Sequence, residues 1–279
     1  MAVRPFLRLC LFLSAALGSM SAWATGVPSW WSPELPANVV EDRFRLEVNV
    51  FYPNFDTQIR ADPSLTVAGT RVSAEDDLGL EKTKVLADAE LTLLPGERHM
   101  IRLSAFEVRR AADTVLNKRF VFDDQTYNVG ERVNTNLNLT LVGLTYGYRF
   151  LVRDRGELTG TFGIAIAQIN ANAVVRTRVI RDPEEGAAPV PFLGLESRFN
   201  FTRRWGVEAR AGYLTANASD VKGTILDARG ALTWRWNPHF VFGLGYRTFG
   251  VHVTSRNSGS PGVVDMTMSG PLLFMRGSL

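Results

Sequence analysis

Arginine and carboxylate side chains alternate with apolar ones along several segments of this chain. In the run from Trp205, Glu208 and Arg210 lie between apolar positions, and the next run places Asp227 and Arg229 in the same way. Arginine and carboxylate groups that face each other form charge-assisted, frequently bidentate hydrogen bonds. We therefore expect an ion-paired charge network with these members: Arg45, Glu47, Asp88, Glu90, Arg102, Glu196, Arg198, Glu208, Arg210, Asp227, Arg229, Arg235 and Arg247.

The elements that must position these charges are β-strands. A period of two places the charges on one face of a strand and the apolar residues on the other. Aromatic residues such as Trp205 and Tyr213 lie at the ends of the apolar face, and the polar face carries both charge signs. This pattern is typical of a transmembrane β-barrel with a polar lumen. Glu157 and Asp265 are two further acids that we assign to the lumen.

The turns predict an all-β, antiparallel up-and-down barrel over residues 42–279. Tight turns alternate with longer connections, as in bacterial barrels with short periplasmic turns and long extracellular loops. The tight turns are at 95–98, 153–156, 202–204 and 237–239. The longer connections are at 111–132, 177–190 and 253–262. The count is about ten strands. We interpret 54–83 as a strand extension, whereas an extra strand pair there would give twelve.

One strand carries a change of phase in its apolar residues. Leu137, Leu139 and Leu141 share one parity, and Leu144 and Tyr146 share the other. A β-bulge adds one residue to a strand and reverses the alternation. We therefore expect a bulge near Val142-Gly143.

The first 24 residues have the features of a secretory signal peptide. Arg4 and Arg8 precede a short apolar stretch, and Ala22-Trp23-Ala24 is a small-x-small cleavage site. Residues 25–41 would form a periplasmic lead-in. The only cysteine, Cys10, lies in the signal, so the mature chain would have none. It would carry 29 basic and 28 acidic residues, and this balance gives no argument for a nucleic-acid partner.

The signal peptide, the strands with aromatic ends and the asymmetry of the turns together resemble the outer-membrane β-barrel proteins of Gram-negative bacteria. The resemblance covers about residues 42–279 and is architectural. It implies a location in the cell outer membrane, insertion by the barrel assembly machinery, and contact with outer-membrane lipids and lipopolysaccharide. We expect a monomer.

Basic residues near the predicted outer rim are candidates for binding lipopolysaccharide phosphates, which suit arginine. They are Arg109, Arg110, Lys118, Arg119, Arg178 and Arg181. Acidic loop clusters such as Glu75-Asp76-Asp77 lack the spacing of a calcium loop. We therefore predict no metal and no cofactor.

The three histidines give little support for catalysis. His99 and His239 lie at predicted periplasmic turns, and His252 lies near the outer rim. Barrels that deacylate lipid A use a His-x-Ser arrangement, but this chain has Thr254 at the serine position. Omptin-like barrel proteases use an Asp-His dyad, and the sequence shows no such unit around His252, although Asp265 is close in sequence. We therefore predict no enzyme activity.

The predicted function is structural, or the passage of small solutes through a narrow pore. One alternative is a surface-binding, adhesin-like barrel that acts through the loops at 111–132 and 177–190. A second alternative is a barrel enzyme that modifies lipid A or peptides and is centred on His252.

Overall fold

The structure is a computed structural model, and it describes residues 43–62, 69–117, 119–122, 125–175, 187–218, 220–256 and 261–278. The predicted signal peptide and the lead-in, residues 1–41, lie outside the described residues. No helix within the described residues could span a membrane.

A closed antiparallel sheet of ten strands forms the barrel, as predicted. Its strands in order around the barrel are β1 (Phe44–Phe51), β4 (Leu86–Leu93), β5 (His99–Val115), β8 (Arg132–Arg153), β9 (Gly156–Val175), β10 (Ala187–Asn200), β11 (Trp205–Ala218), β12 (Val221–Arg235), β13 (Phe240–Ser255) and β14 (Gly262–Ser278). Pairing of β1 with β14 closes the sheet. Closure leaves no unpaired edge, which is the condition for placing strands in lipid.

Four short strands lie outside this count: β2 (Asn54–Ala61), β3 (Val72–Ser73), β6 (Phe120–Phe122) and β7 (Gln125–Tyr127). β2 continues β1 beyond Pro53, because both pair with β14 in one register, Phe51 with Leu272 and Asn54 with Ser269. Among the described residues, β3 pairs with β2 alone. Residues 54–61 are therefore an extension of β1, as expected, and the described residues of 54–83 form no extra pair of barrel strands.

All four predicted tight turns lie at one end of the barrel, called here the turn end. They connect β4 to β5, β8 to β9, β10 to β11 and β12 to β13. Gly96 in the first of these has a φ of 81°, a conformation that favours glycine. The opposite end, called here the loop end, carries the longer connections, including the β6–β7 hairpin.

The two faces of the sheet differ as the alternation predicted. On β1, Leu46, Val48 and Val50 are exposed on the outer face, whereas Glu47 and Asn49 are buried in the lumen. The aromatic residues at the turn end form a chain of outward-facing rings. Within it, the ring centroids of Trp236 and Phe240 are 6.4 Å apart.

The expected bulge at Val142-Gly143 is wrong. Pairing of β5 with β8 runs through these residues without interruption, and the register shift in β8 lies between Arg149 and Leu151. Leu137 and Leu139 point into the lumen and are buried. The physical reason is that the lumen is apolar towards the loop end, so a leucine there faces inward without any change of phase.

The lumen thus has two layers. A buried apolar cluster at the loop end includes Phe55, Phe106, Leu139, Val251 and Met266. The segment between β3 and β4 contributes to the same cluster, through Ala74 and Leu80. Below it, towards the turn end, the buried side chains are mainly charged or polar.

Candidate functional site

The charged layer of the lumen contains most of the residues in the predicted network. Each of the ten barrel strands places one or two charged side chains at this level. Because the sheet is closed, these side chains face one another across the lumen. The members placed in the lumen are Arg45, Glu47, Asp88, Glu90, Arg102, Glu196, Arg198, Glu208, Arg210, Asp227, Arg229 and Arg247. Arg235 lines a small cavity at the turn end with Glu208 and Arg276.

Several ion pairs cross the lumen. Arg210 Nη1 on β11 donates to Glu90 Oε1 on β4 at 2.7 Å, and these two strands lie on opposite sides of the ten-stranded barrel. Arg102 donates to both carboxylate oxygens of Glu196, at 2.5 and 2.8 Å. The Arg210–Glu90 bond joins opposite walls of the barrel, and the Arg102–Glu196 bonds join β5 to β10, three strands away, so together they occupy the cross-section that a pore would need.

One arginine that the sequence analysis did not single out joins two acids in this layer. Arg276 on β14 donates to Glu47 Oε2 through Nε at 2.8 Å and through Nη2 at 2.6 Å. Its Nη2 also lies 2.9 Å from each carboxylate oxygen of Glu208. Arg276 shares its parity with the inward-facing Phe274 and Leu272, and this alternation is the signal that could have identified it.

Arg149 is a second missed member. Its Nη2 donates to Glu157 Oε2 at 2.5 Å, and Arg198 donates to the other oxygen of Glu157 at 2.7 Å. Glu157 thus has an arginine on each side, and this pairing balances its charge in a lumen where an unpaired buried charge is costly.

A separate polar group holds the segment between β3 and β4 at the loop end. Arg110 Nη2 donates to Glu75 Oε1 at 2.7 Å and to the Glu81 carbonyl at 2.6 Å. The Thr57 amide donates to the other oxygen of Glu75 at 2.8 Å. The Arg110 guanidinium lies 4.2 Å from the centroid of the Phe55 ring, a cation–π distance.

The assignment of Arg110 as a lipopolysaccharide contact is therefore wrong. Its side chain has no solvent exposure, because its parity on β5 matches that of Phe106 and Val108, which face inward. The neighbouring Arg109 points outward, with 73% of its side chain exposed, and pairs with Glu107. Arg119 is also exposed. Lys118, Arg178 and Arg181 lie outside the described residues.

His252, Asp265 and Thr254 form a hydrogen-bonded chain on the outer face at the loop end. β13 and β14 pair His252 directly with Asp265, and His252 Nδ1 is hydrogen-bonded to Asp265 Oδ1. The Thr254 hydroxyl lies 3.2 Å from His252 Nε2. The expectation that no Asp-His unit exists around His252 is wrong, and so is the assignment of Asp265 to the lumen. Its neighbour in sequence, Met266, is the one buried inside.

No metal-binding centre is evident among the residues described. No three His, Cys, Asp or Glu side chains of the described ranges come together as a potential metal site.

The fold is similar to that of solved outer-membrane β-barrels. The outer membrane protease OmpT from Escherichia coli matches with a TM-score of 0.53 at 7% identity, over 84% of this chain and 97% of that chain. The toluene transporter TodX of P. putida matches with a TM-score of 0.36 at 8% identity, over 88% of this chain and 92% of that chain. Ail, the attachment invasion locus protein of Yersinia pestis, matches with a TM-score of 0.30 at 10% identity, over 84% of this chain and 99% of that chain.

This chain has the outer-membrane β-barrel fold, and the likeness reaches no further than the fold. The neighbours include a protease, a transporter and an attachment protein. No protein-family model matches the chain, and no curated protein matches it in sequence.

Proposed function

We propose that this protein is a structural component of the outer membrane, a barrel with a closed lumen that does not conduct solutes. The apolar outer face supports a location in lipid, because apolar side chains are stable in contact with hydrocarbon. The charged side chains face the lumen and so avoid the hydrocarbon. The signal peptide proposed for residues 1–24 would provide the route of export. Of the two predicted functions, the structural one is favoured over the narrow pore.

The observation that carries this proposal is the Arg210–Glu90 pair between opposite strands. Around it, Arg229 pairs with Glu47 at 2.8 Å, and Arg102 pairs with Glu196. Passage of a hydrated ion would require these buried pairs to separate. A buried charge that loses its partner is strongly destabilising, and this cost opposes a conducting state.

Planar-bilayer recording tests the closed lumen. The purified protein should give no stable channels, and the double variant Arg210→Ala/Glu90→Ala should give a measurable conductance because it removes a bridge across the lumen. A matched double variant on the outside of the barrel, Arg109→Ala/Glu107→Ala, should remain silent. Stable channels of defined size in the unmodified protein would overturn the proposal.

A second candidate function is hydrolysis of a lipid ester at the outer rim, and the His252–Asp265–Thr254 chain favours it. An acid on one ring nitrogen of a histidine and a hydroxyl on the other is the arrangement that activates a nucleophile. In this candidate mechanism the Thr254 oxygen attacks an acyl carbonyl, His252 takes the hydroxyl proton, and Asp265 orients the ring. The ester C–O bond then breaks, and the alcohol leaves with the proton that His252 had taken. Water, activated by His252, hydrolyses the acyl–Thr254 ester, which releases the fatty acid and regenerates the Thr254 hydroxyl.

Mass spectrometry of lipid A and phospholipids from expressing cells tests this second candidate. Loss of an acyl chain that depends on His252 and Thr254 would support it. The variants are His252→Asn and Thr254→Val, and the matched control is Thr215→Val, an exposed threonine on β11. Identical lipids with and without the protein would exclude the hydrolase.

A further inference from the structure

The boundary between the two layers of the lumen contains a cavity. Its volume is about 140 Å³. The charged floor includes Arg102, Arg210 and Arg247, and the apolar side chains of the wall are Phe106, Leu141, Phe192, Leu214, Ile225 and Phe249.

Small residues at inward positions create this space. Ala165 and Gly212 line the cavity, and Gly212 lies between the larger inward-facing Arg210 and Leu214 on β11. A Cβ built on Gly212 would meet no atom nearer than 3.9 Å. The gap is therefore open on this side, and a larger side chain at Gly212 would extend into it.

The chemistry of the floor favours an uncharged occupant. Arg247 donates to both oxygens of Asp227, at 2.9 and 2.8 Å, and to Asp88 at 3.3 Å. Arg102 and Arg210 are likewise paired with Glu196 and Glu90. With every floor arginine already matched by a carboxylate, an anionic ligand would gain no unpaired cation and would face nearby acids.

Aromatic rings mark the same boundary. The Arg247 guanidinium lies 5.1 Å from the Phe106 centroid and 6.0 Å from the Phe249 centroid. The lining above the charged floor is thus mainly aromatic and aliphatic, with the hydroxyl-bearing Ser104, Thr145 and Thr161 among it. The volume of the cavity is close to the roughly 150 Å³ of an engineered apolar cavity that binds benzene.

We propose that this cavity is a binding site for a neutral, largely apolar molecule of about the size of one aromatic ring. This binding site goes beyond the proposed structural function. It rests on that function in one respect, because the ion-paired floor would keep the ligand from passing into the charged layer.

Methyl NMR of the full-length mature protein in detergent tests the proposal, with benzene as the probe. The methyl resonances of Leu214 and Ile225 should shift and saturate as benzene is added. Those of Leu193 and Ile164, which are exposed on the outer face, should follow the linear partitioning of benzene into detergent. Benzoate, the charged relative of the probe, should give no saturable shift.

Matched variants place the site. Gly212→Leu should fill the cavity and weaken saturable binding by at least about tenfold. Gly160→Leu makes the same change on the outer face, where a Cβ would lie 3.7 Å from the Phe150 ring, and it should bind benzene normally. If Gly212→Leu does not fold, Ala165→Leu serves as the filling variant.

The outcomes separate this proposal from the closed-lumen proposal. Saturable shifts that the filling variant abolishes support the site, whatever the bilayer recordings show. No saturable shift in the unmodified protein, an equal response to benzoate, or binding that survives cavity filling would overturn it. Channels in the bilayer would overturn only the closed lumen.

Discussion

Replacement of Arg276 by methionine tests the energetic role of the charged layer. The change removes the hydrogen bonds to Glu47 and Glu208 and leaves two carboxylates buried, at 5% and 7% side-chain exposure. Removal of one partner from a buried pair costs about 3–5 kcal/mol. Arg229 still lies 2.8 Å from Glu47 and Arg198 lies 3.4 Å from Glu208, so we expect the lower end, about 3 kcal/mol.

The assay is urea unfolding of the protein in lipid vesicles, followed by the mobility shift between folded and unfolded barrel. Arg109→Met is the matched control, since its pair with Glu107 is exposed and should contribute at most about 1 kcal/mol. Adding Glu208→Gln to Arg276→Met should restore part of the lost stability. Equal effects of Arg276→Met and Arg109→Met, or no restoration, would show that the buried pairs of Arg276 do not stabilise the barrel.

Three further variants test the outer face, the loop end and the contact between β14 and the end of β1. Arg109→Gln/Arg119→Gln should reduce the amount of lipopolysaccharide that co-purifies with the protein, and an unchanged amount would remove these residues as contacts. Arg110→Met should leave lipopolysaccharide unchanged but loosen the segment between β3 and β4, measured as faster proteolysis there; protection equal to the unmodified protein would contradict the clamp. Gly270→Ala should destabilise the barrel by about 1–3 kcal/mol in the urea assay, because the new Cβ would lie 2.1 Å from the Tyr52 carbonyl oxygen; an unchanged unfolding midpoint would argue against this close approach.

The alternation of side chains predicted the fold because a barrel repeats one rule on every strand. Glu47 is buried in the lumen, whereas Leu46 is exposed on the outer surface. The polarity of each residue therefore indicates the face on which it lies. The alternation could not separate Leu139 from Leu144, because the lumen is itself apolar near the loop end. Leucine is favoured both in the apolar part of the lumen and on the outer surface, so hydropathy alone predicted a bulge that is not present.

The candidate site residues could be assigned only with the strand register, which the sequence determines but does not show directly. Arg109 and Arg110 are adjacent and equally charged, and only the parity of β5 beyond Phe106 decides which of them is buried. The contact of His252 with Asp265 depends on the offset between β13 and β14, which pairs these two residues directly. Arg276 was missed although the alternation on β14 marks it as inward.

Quenching by brominated lipids tests the central claim, a closed barrel in a bilayer with an apolar exterior. The mature chain would have no cysteine, so single cysteines at Leu195, Leu244 and Leu273 can each carry one fluorophore. These residues are exposed on three different strands, whereas Asp220 lies in a turn at the loop end. We expect strong quenching at all three leucine positions and weak quenching at Asp220. Weak quenching at every position would show that these strands do not contact lipid.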